Sequence, residues 1–537
     1  MTGSFRSRWL IEGTLKLEAP LSIRTGEAIE RTPPKPGSGD ETTVQVSQVH
    51  RGGHGWPVIP GSSLKGVLRH WIVERLGDRH KGAIEQVFGH DPRPIAGDPD
   101  RKSGRGGKAD LHDAVASARD DEPDAWRPLL PLRSSTAIDR HTRTAERRKL
   151  FHAEQVAAGI VFKVTVTGDN LDEAEVALLL AAFSGFNEGA EDLAITLGGS
   201  AGSGKGRATW CLDEVRCMNA GDVARWLSEP EPVMWQRWIR TDDDCTVEAG
   251  DLKTAAADLL GQRQQPAFVR VKLRLSFDGP FLVNDPWRAG EGDGSPQPDA
   301  DDRGKTAPDM RPRLDHDGRP VLPGESVRGA LRSQAERILR TIGRDDGDMP
   351  EIDALFGTTG RRGALEVNDF RVEHCNVVPQ HFVAIDRFTG GAAPTKLYMA
   401  EPATAPVFTG ALTLRLSPRS RKPSGEHSEQ PEDTPAPPMA PAAIGLMALV
   451  LRDVIEGDVQ FGWGRAKGYG ACGAEIAELK VNGAAACEAV KDLPGIDKAD
   501  RAAGPIDRDV ARVHYGELVQ HCIRNMHKRK GGADGTG

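Results

Sequence analysis

The sequence has few cysteines and no long hydrophobic run. Its 537 residues include only 7 cysteines, and none of them forms a Cys-x-x-Cys pair. This scarcity argues against a zinc ribbon and a disulfide framework, and it predicts reduced thiols, as in a cytoplasm. No run of 18 apolar residues is present, so no membrane span is predicted. The first residues, MTGSFRSR, lack the apolar core of a signal peptide, and we expect a cytoplasmic protein without a membrane partner.

An excess of positive charge is also missing, since the formal net charge is −8. The sum alone argues weakly against nucleic-acid binding, but the distribution of charge matters more. Basic residues are concentrated at 101–108, 140–149 and 527–530. Hydrophobic residues make up 38% and charged residues 28%, which indicates a globular chain long enough for two or more domains.

The chain is internally duplicated. Residues 58–69 read VIPGSSLKGVLR, and residues 321–332 read VLPGESVRGALR. The tetrapeptide AIDR at 137–140 recurs at 384–387. Three ordered matches at a similar offset indicate a duplicated domain, and the third match is a set of glycines with identical spacing, Gly198, Gly204 and Gly206 against Gly462, Gly468 and Gly470.

The duplication defines the predicted domains. Each repeat begins with a strand of period two, continues into a helix after Pro-Gly, and ends with a strand, a glycine loop and a strand. This order predicts an α+β fold of tandem ferredoxin-like (RRM-like) domains with insertions and thumb hairpins. The predicted boundaries are 8–215 for the first repeat, 216–265 for a packed helical linker, 266–480 for the second repeat with a disordered insertion at 417–441, and 481–537 for a polar C-terminal extension.

Each Pro-Gly helix start is a candidate phosphate site. Its backbone N–H groups and the positive end of its helix dipole meet at one point, and Ser62 or Ser63 is placed to cap the first helix. Lys65 and Arg69 share one helical face. An ordinary capped amphipathic helix is the alternative for a single copy, but the second repeat carries the same arrangement in Ser326, Arg328 and Arg332.

The glycine loops are the second candidate element. Residues 198–207, GGSAGSGKGR, approach a P-loop, but Gly206 stands where magnesium binding needs Ser or Thr, and a strand follows instead of a helix. We therefore reject an NTPase and predict a loop that approaches a backbone phosphate closely; a tight turn with positive φ is the alternative. The candidate residues are Gly204, Lys205, Arg207, Arg465, Lys467 and Gly468.

The third element is the repeated Ile-Asp-Arg. An Asp-Arg turn followed by an aromatic residue predicts a projecting hairpin that touches a nucleotide strand. The candidates are Asp139 and Arg140 in the first repeat and Asp386 and Arg387 in the second. A salt bridge that holds the turn is the alternative.

Together with the Phe-Gly pairs at 88–89 and 356–357, these motifs resemble the RAMP superfamily. More narrowly, the chain resembles two fused backbone subunits of type III CRISPR effector complexes. The resemblance implies an RRM-like palm, a thumb hairpin and a filament that grips guide RNA. It also implies cleavage of the paired target RNA with a divalent metal ion, Mg²⁺ or Mn²⁺, and other subunits of the complex as partners.

The resemblance places the cutting Asp in a loop a dozen or so residues before the Pro-Gly helix start, where the second repeat has Asp309. Arg311 is near enough in sequence to assist. The matching part of the first repeat holds Gln45 and Ser47, which accept protons poorly near neutral pH. Its nearest carboxylates, at positions 40 and 41, lie further upstream, and their contribution stays open.

Three functions compete at this point. The first is a guide-binding subunit that cuts target RNA, and the second is a scaffold of the same complex that only binds. The third is a guide-processing endoribonuclease with a His general base. The second repeat has Phe388 where the first has His141, which argues against a His mechanism common to both repeats.

Overall fold

The structure is a computed structural model, and it describes most of both repeats. All structural statements refer to the described residues, which are 5–33, 43–95, 98–117, 130–140, 142, 144–187, 193–230, 233–261, 266–288, 308–344, 349–358, 361–416 and 441–482.

The first repeat is built on an antiparallel palm sheet with helices on one face. Its helices are α1 (Gly61–Leu76), α2 (Lys81–Phe88) and α3 (Glu173–Ser184). Its strands are β1 (Ser7–Leu17), β2 (Arg24–Arg31), β3 (Val44–Val49), β4 (Val58–Ile59), β5 (Gly89–Ile95), β6 (Asp98–Gly106), β7 (Ala109–Leu111), β8 (Ala114–Ala116), β9 (Leu132–Ile138), β10 (Ala145–Glu154), β11 (Val161–Asp169) and β12 (Ala208–Asn219).

The palm has the strand order of a ferredoxin-like domain. β1 lies between β11 and β12, and β7 and β8 both pair with β11 on its other side. The order is that of a βαββαβ unit, with the last strand next to the first and the third next to the second. The alternating residues of β1 place Leu15 opposite Phe162, and both side chains are buried under α1 and α3.

The linker is a packed helical segment, as predicted. It contains α4 (Ala220–Leu227), α5 (Trp235–Thr241) and α6 (Ala249–Gly261). Trp238 is buried against the first repeat, and the Arg240 guanidinium donates to Glu12 on β1 at 2.7 Å. The hydrogen bond from Arg240, opposed by burial, lowers the pKa of Glu12 to about 2. The linker is therefore joined to the first palm by both apolar contact and charge.

The second repeat has the same plan. Its helices are α7 (Gly324–Thr341), α8 (Pro350–Phe356) and α9 (Pro441–Ile455). Its strands are β13 (Phe268–Phe277), β14 (Pro280–Phe281), β15 (Val321–Leu322), β16 (Gly357–Thr358), β17 (Arg361–Arg362), β18 (Leu365–Val367), β19 (Phe370–Val377), β20 (Gln380–Ile385), β21 (Ala392–Ala400), β22 (Ala403–Arg415) and β23 (Cys472–Asn482).

The second palm again has its first strand in the centre. β13 lies between β22 and β23, and β18 and β19 pair with β22. A buried aromatic group fills the core, with Phe281 and Phe408 4.9 Å apart between ring centroids. The tandem ferredoxin-like fold predicted from the sequence is confirmed by this topology.

A hairpin projects from each palm. In the first repeat β9 and β10 join β2 and β3 in a four-stranded sheet, whereas β20 and β21 form a two-stranded sheet. Both are the thumb hairpins that the Asp-Arg turns predict. The predicted disordered insertion lies outside the described residues except for Pro441, which begins α9, and all but the start of the C-terminal extension lies outside them too. Within the described chain no helix is long and apolar enough to cross a membrane.

Candidate nucleic-acid interface and catalytic residue

The helix starts are capped by carboxylates from elsewhere in each palm. The predicted capping by Ser62 or Ser63 is wrong, since neither side chain makes a cap hydrogen bond. Instead the Gly61 N–H donates to Asp113 at 2.9 Å, and the Gly324 N–H donates to Asp369 at 2.7 Å. The first N–H of each helix is therefore already occupied by an anion of the protein. Any phosphate contact here falls to the side chains, including Ser62, Ser63 and Ser326, whose RNA-binding role stays a prediction.

The two basic pairs have different surroundings. Lys65 lies half-buried with its Nζ 3.4 Å from the Ala109 carbonyl, and Arg69 is also half-buried. Arg328, in contrast, donates to the Gly202 carbonyl at 3.3 Å and to the Phe356 carbonyl at 2.7 Å. Burial lowers the pKa of Arg328 to about 10.

The partner of Arg328 in the second basic pair also bonds within the protein. Arg332 donates to Glu336 at 2.9 Å, one helical turn away. The basic pair of the second repeat therefore holds protein groups, including Gly202 in the first glycine loop, to which Arg328 donates. In the first repeat, neither Lys65 nor Arg69 contacts a carboxylate of the described residues.

The glycine loops need glycine for their shape. Gly204 and Gly468 have φ of 72° and 79°, which L side chains rarely adopt. A Cβ at Gly204 would lie 2.6 Å from the Asn368 Cα, so the loop of the first repeat packs directly against the second repeat. The tight-turn alternative is therefore correct for the backbone, whereas the predicted approach to a phosphate stays a prediction.

Lys205 is buried at the contact between the repeats. Its Nζ lies 2.5 Å from a carboxylate oxygen of Glu325, which also accepts from Arg313 at 2.7 Å. Burial alone would raise the pKa of Glu325, but the charges of Arg313 and Lys205 outweigh it and lower the pKa to about 2. Burial, with the charge of Glu325 added, raises the pKa of the neighbouring Asp369. The sequence predicted an RNA contact for Lys205, which stays a prediction, and the structure shows its side chain in a buried ion pair with Glu325.

The second glycine loop lies under the second hairpin. Lys467 is exposed, and its Nζ lies 4.6 to 4.8 Å from the ring centroids of Phe382, Tyr398 and Trp463. Such contacts are favourable because the ring faces carry negative charge density. Arg465 is exposed, and it donates to the Gln460 carbonyl at 2.6 Å. This loop therefore keeps two cations at the surface, next to a hairpin.

The Asp residues of the Asp-Arg motifs shape the hairpin turns. Asp139 accepts from the Thr142 N–H at 2.7 Å, and Asp386 accepts from the Phe388 and Thr389 N–H groups at 2.8 and 2.9 Å. Hydrogen bonds from the Thr389 and Phe388 backbone lower the pKa of Asp386. The structure thus assigns both Asp side chains to the turns, where they accept hydrogen bonds from backbone N–H groups.

The residues that the turns present differ between the hairpins. Arg140 lies 3.4 Å from Glu336 on α7, so the first hairpin reaches over the second repeat. Arg387 is exposed, and Phe388 is fully exposed at the tip of the second hairpin. A fully exposed aromatic ring at a hairpin tip is suited to stacking on a nucleobase. His141 lies outside the described residues.

Asp309 lies at the base of the second hairpin. Its N–H donates to the Met399 carbonyl at 3.0 Å, and its Oδ2 accepts from the Met399 N–H at 2.8 Å. The side chain is partly exposed. Arg311, proposed as an assistant, is buried and paired with Glu401 at 3.3 Å. Asp309 is therefore a well-oriented carboxylate, whereas the charge of Arg311 is used within the protein.

Strand register identifies the equivalent of Asp309 in the first repeat. Met310 forms a parallel bridge with Ala400, and Ser47 forms the equivalent parallel pair with Ala153 of the first hairpin. Ser47 therefore corresponds to Met310, and the residue before each of them is compared. The residue before Ser47 is Val46, which is fully buried, so an apolar side chain occupies the place of the carboxylate. Gln45 donates to Glu30 at 3.1 Å. Positions 40 and 41 lie outside the described residues.

The structure adds basic residues that the motifs did not reveal. Arg207 was predicted, and burial and then repulsion from the charges of Arg270 and Arg371 lower its pKa. The Arg371 guanidinium also donates to the Glu18 carbonyl of the first repeat at 3.2 Å. Nothing in the local sequence of Arg270 or Arg371 marks them, because both lie on strands of the second repeat, β13 and β19, whereas Arg207 belongs to the first.

A cleft of about 320 Å³ lies where the repeats meet. The first glycine loop forms one side of it, and Arg328, Phe356 and Arg362 form the other. Burial lowers the pKa of Arg362, as it does that of Arg328. Arg362 pairs with Glu366 at 2.8 Å and Arg328 bonds to carbonyls, so a phosphate here would compete with protein groups for both cations.

One acidic group in the described residues has the spacing of a metal site. It consists of Asp453, Glu456 and Asp458 at the end of α9. Asp453 is buried and accepts from Arg452 at 2.8 Å, so part of its charge is already balanced. Among the described residues no such group includes Asp309. A metal ion at Asp309 would therefore have one protein carboxylate and would need oxygen ligands from a phosphate and from water.

Comparison with known proteins agrees with this architecture. The family model of the RAMP superfamily matches the chain twice, at residues 14–209 and at residues 281–472. No match was found among curated proteins. The two matches include the helix starts, hairpins and glycine loops of both repeats, and together they span more than half of the chain. The chain therefore belongs to the RAMP superfamily, as two fused RAMP domains, and this membership indicates a CRISPR-associated RNA-binding subunit.

Proposed function

We propose that the chain is a guide-RNA-binding backbone subunit of a type III CRISPR effector complex, acting in the cytoplasm, and that its second repeat cleaves complementary target RNA. The observation that carries the cleavage proposal is the position of Asp309. This partly exposed carboxylate lies at the base of the second hairpin and is held there by Met399. The cleft between the repeats and the exposed cations of the second glycine loop support RNA binding.

The chemistry needs little from the protein because RNA carries its own nucleophile. If the hairpin displaces one nucleotide, the 2′-oxygen can line up with the neighbouring phosphorus. The 2′-oxygen then forms a bond to phosphorus, the bond from phosphorus to the 5′-oxygen breaks, and Asp309 accepts the 2′-hydroxyl proton. The Met399 N–H fixes Oδ2 of Asp309, which orients the carboxylate for this transfer.

A divalent ion, Mg²⁺ or Mn²⁺, fits this site if RNA supplies most of its ligands. Mg²⁺ commonly binds through one or two carboxylates together with phosphate oxygens and water. Asp309 is the residue that would hold it. When bound, the ion would stabilise negative charge on the reacting phosphate.

The test compares Asp309→Asn with the wild type in guide-loaded complex. Asn retains an oxygen that can accept the Met399 N–H, so the hairpin base is preserved while the base function is lost. We expect cleavage at the second-repeat site to fall by two or more orders of magnitude, the usual contribution of general-base help, with target binding retained. EDTA should give the same loss.

A scaffold that only binds is the second candidate. The observation in its favour is that one oxygen of Asp309 already holds the hairpin, a sufficient structural role for the residue. Wild-type complex that binds target RNA without cutting it would establish the scaffold. A cut that survives in Asp309→Asn at a second position of the target RNA would show that the first repeat is active despite Val46.

A further inference from the structure

Among the described residues, three ion pairs join the two repeats, and in all three the cation belongs to the first repeat. They are Arg133–Asp285 at 2.6 Å, Lys205–Glu325 at 2.5 Å and Arg140–Glu336 at 3.4 Å. Every cation belongs to the hairpin or glycine loop of the first repeat, and every carboxylate belongs to the second repeat. Such a contact is heterologous, because each repeat uses a different surface. We call the surface that carries the three cations the donor surface and the surface that carries the three carboxylates the acceptor surface. The equivalent donor surface of the second repeat and the equivalent acceptor surface of the first repeat therefore lie at the two ends of the chain.

The contact is more than a set of surface charges. The side chains of Asp285 and Lys205 are only 2% and 3% exposed. Trp287, beside Asp285, donates from its Nε1 to Ser134 on the first hairpin at 3.1 Å. Close charge pairs that are shielded from water contribute far more to an interface than exposed ones do.

The donor surface of the second repeat lacks two of the three cations. Phe382 pairs with Tyr398 as Ser135 pairs with Phe151, which makes Gln380 the equivalent of Arg133. The shared glycine spacing makes Tyr469 the equivalent of Lys205. Only the third cation is retained, because the repeated Asp-Arg motif gives Arg387 for Arg140, and this residue is exposed.

The acceptor surface of the first repeat lacks all three carboxylates. Alignment of the Pro-Gly helix starts gives Ser62 for Glu325 and Val73 for Glu336. The His50 N–H donates to the Ile23 carbonyl as the Arg313 N–H donates to that of Val283. The residue two positions after Val283 is Asp285, and its equivalent two positions after Ile23 is Thr25.

We infer that copies of this chain do not join head to tail, and that a different protein completes the contact at each end. A second copy would place Gln380 opposite Thr25, Tyr469 opposite Ser62 and Arg387 opposite Val73, which restores none of the ion pairs. The partner at the second glycine loop is expected to offer carboxylates to the exposed Arg387 and Lys467. The partner at α1 meets a neutral surface in Ser62 and in Val73, which is 43% exposed.

The test measures self-association of the full chain by sedimentation velocity over a concentration series at low salt. The variant Ser62→Glu/Val73→Glu supplies carboxylates on α1, and Ser62→Lys/Val73→Lys is the matched control with the opposite charge. We expect the wild type and the Lys variant to sediment as single chains. The Glu variant should self-associate at least about tenfold more tightly than the wild type, with the gain abolished at high salt.

Two results would overturn the inference. One is head-to-tail oligomers of the wild type, and the other is a Glu variant that stays monomeric while its thermal unfolding matches that of the wild type. Neither result depends on RNA or on cleavage, so the inference and the proposed function fail or succeed separately.

Discussion

The two glycine loops share their spacing and their positive φ angles, but they lie in different surroundings. The first loop is covered by the second repeat, where Lys205 pairs with Glu325. The second loop is covered by its own hairpin, where Tyr469 donates to Gln380 and Lys467 contacts three aromatic rings. The difference shows how a duplicated domain can keep one backbone and assign its equivalent side chains to different contacts. The first copy uses them to join the repeats, and the second copy retains cations at the surface.

The largest expected effect is on the free energy of unfolding, which should respond strongly to substitution of Glu325 and weakly to substitution of its counterpart Ser62. Glu325→Ala should lower the free energy of unfolding by about 3 kcal/mol, since it leaves the buried Lys205 and Arg313 without their shared carboxylate. Ser62→Ala should change it by less than about 0.5 kcal/mol, because Ser62 is exposed and caps nothing. Urea titrations of the two variants provide the measurement, and similar losses would contradict the assignment of Glu325 to the interface.

The pH dependence of stability tests whether the charge of Glu325 stabilises the contact between the repeats. The folded-state pKa of Glu325 is about 2, below its ordinary value of 4.5, so its stabilising contribution is present above pH 4.5 and is lost as the pH falls toward 2. The stability difference between the wild type and Glu325→Gln should therefore shrink over that window. A difference that stays constant would mean that the charge of Glu325 is not what stabilises the contact.

A smaller effect distinguishes the two basic pairs. Lys65→Ala/Arg69→Ala should weaken guide binding without regard to sequence and lower the salt slope by roughly one unit for each phosphate that is no longer neutralised. Arg328→Ala/Arg332→Ala should change the slope less and lower stability more, because these side chains bond to carbonyls and to Glu336. Binding titrations at several salt concentrations measure both. Equal slope changes would show that the second pair reaches RNA despite its protein partners.

The smallest expected effect concerns the hairpin tip. Phe388→Ala should weaken binding of target RNA to guide-loaded complex by about 1 kcal/mol, the lower range for one stacked base. Leu227→Ala is the control, since Leu227 is an apolar side chain of the linker that is 70% exposed. Structures with RNA that show a continuous duplex past this hairpin would contradict the stacking role.

Much of the architecture could be predicted from residue patterns, because those patterns are local. Period-two strands, the spacing of apolar residues after Pro-Gly, and the repeated glycines each depend on neighbours within about ten residues, and they led to helices, strands and hairpins close to those observed. Capping could not be predicted in this way. Asp113 and Asp369 reach the helix starts from a distant part of the chain, so the nearby Ser62 and Ser63 were the wrong choice.

Candidate residues of the site could be chosen from the sequence, but the contacts that their side chains make could not. The sequence identified Lys205 in a glycine loop and Arg328 at a Pro-Gly helix start as RNA-binding candidates, but only the packing of one repeat on the other shows that both side chains bond across that contact. The same packing lets the charges of Arg270 and Arg371, in the second repeat, lower the pKa of Arg207 in the first. The role of Asp309 in cleavage stays a prediction, although strand register replaced Gln45 and Ser47 by Val46 as its counterpart.

The sequence by itself determined that the chain is two copies of one α+β domain, because a duplicated order of motifs is visible without coordinates. It also determined which residue types lie at each helix start, hairpin and glycine loop. Only the tertiary structure decided which of these side chains are exposed and which are used between the repeats. The physical reason is that an ion pair such as Lys205–Glu325 joins residues far apart in the chain, and its burial depends on how two palms, each with its own core, pack together.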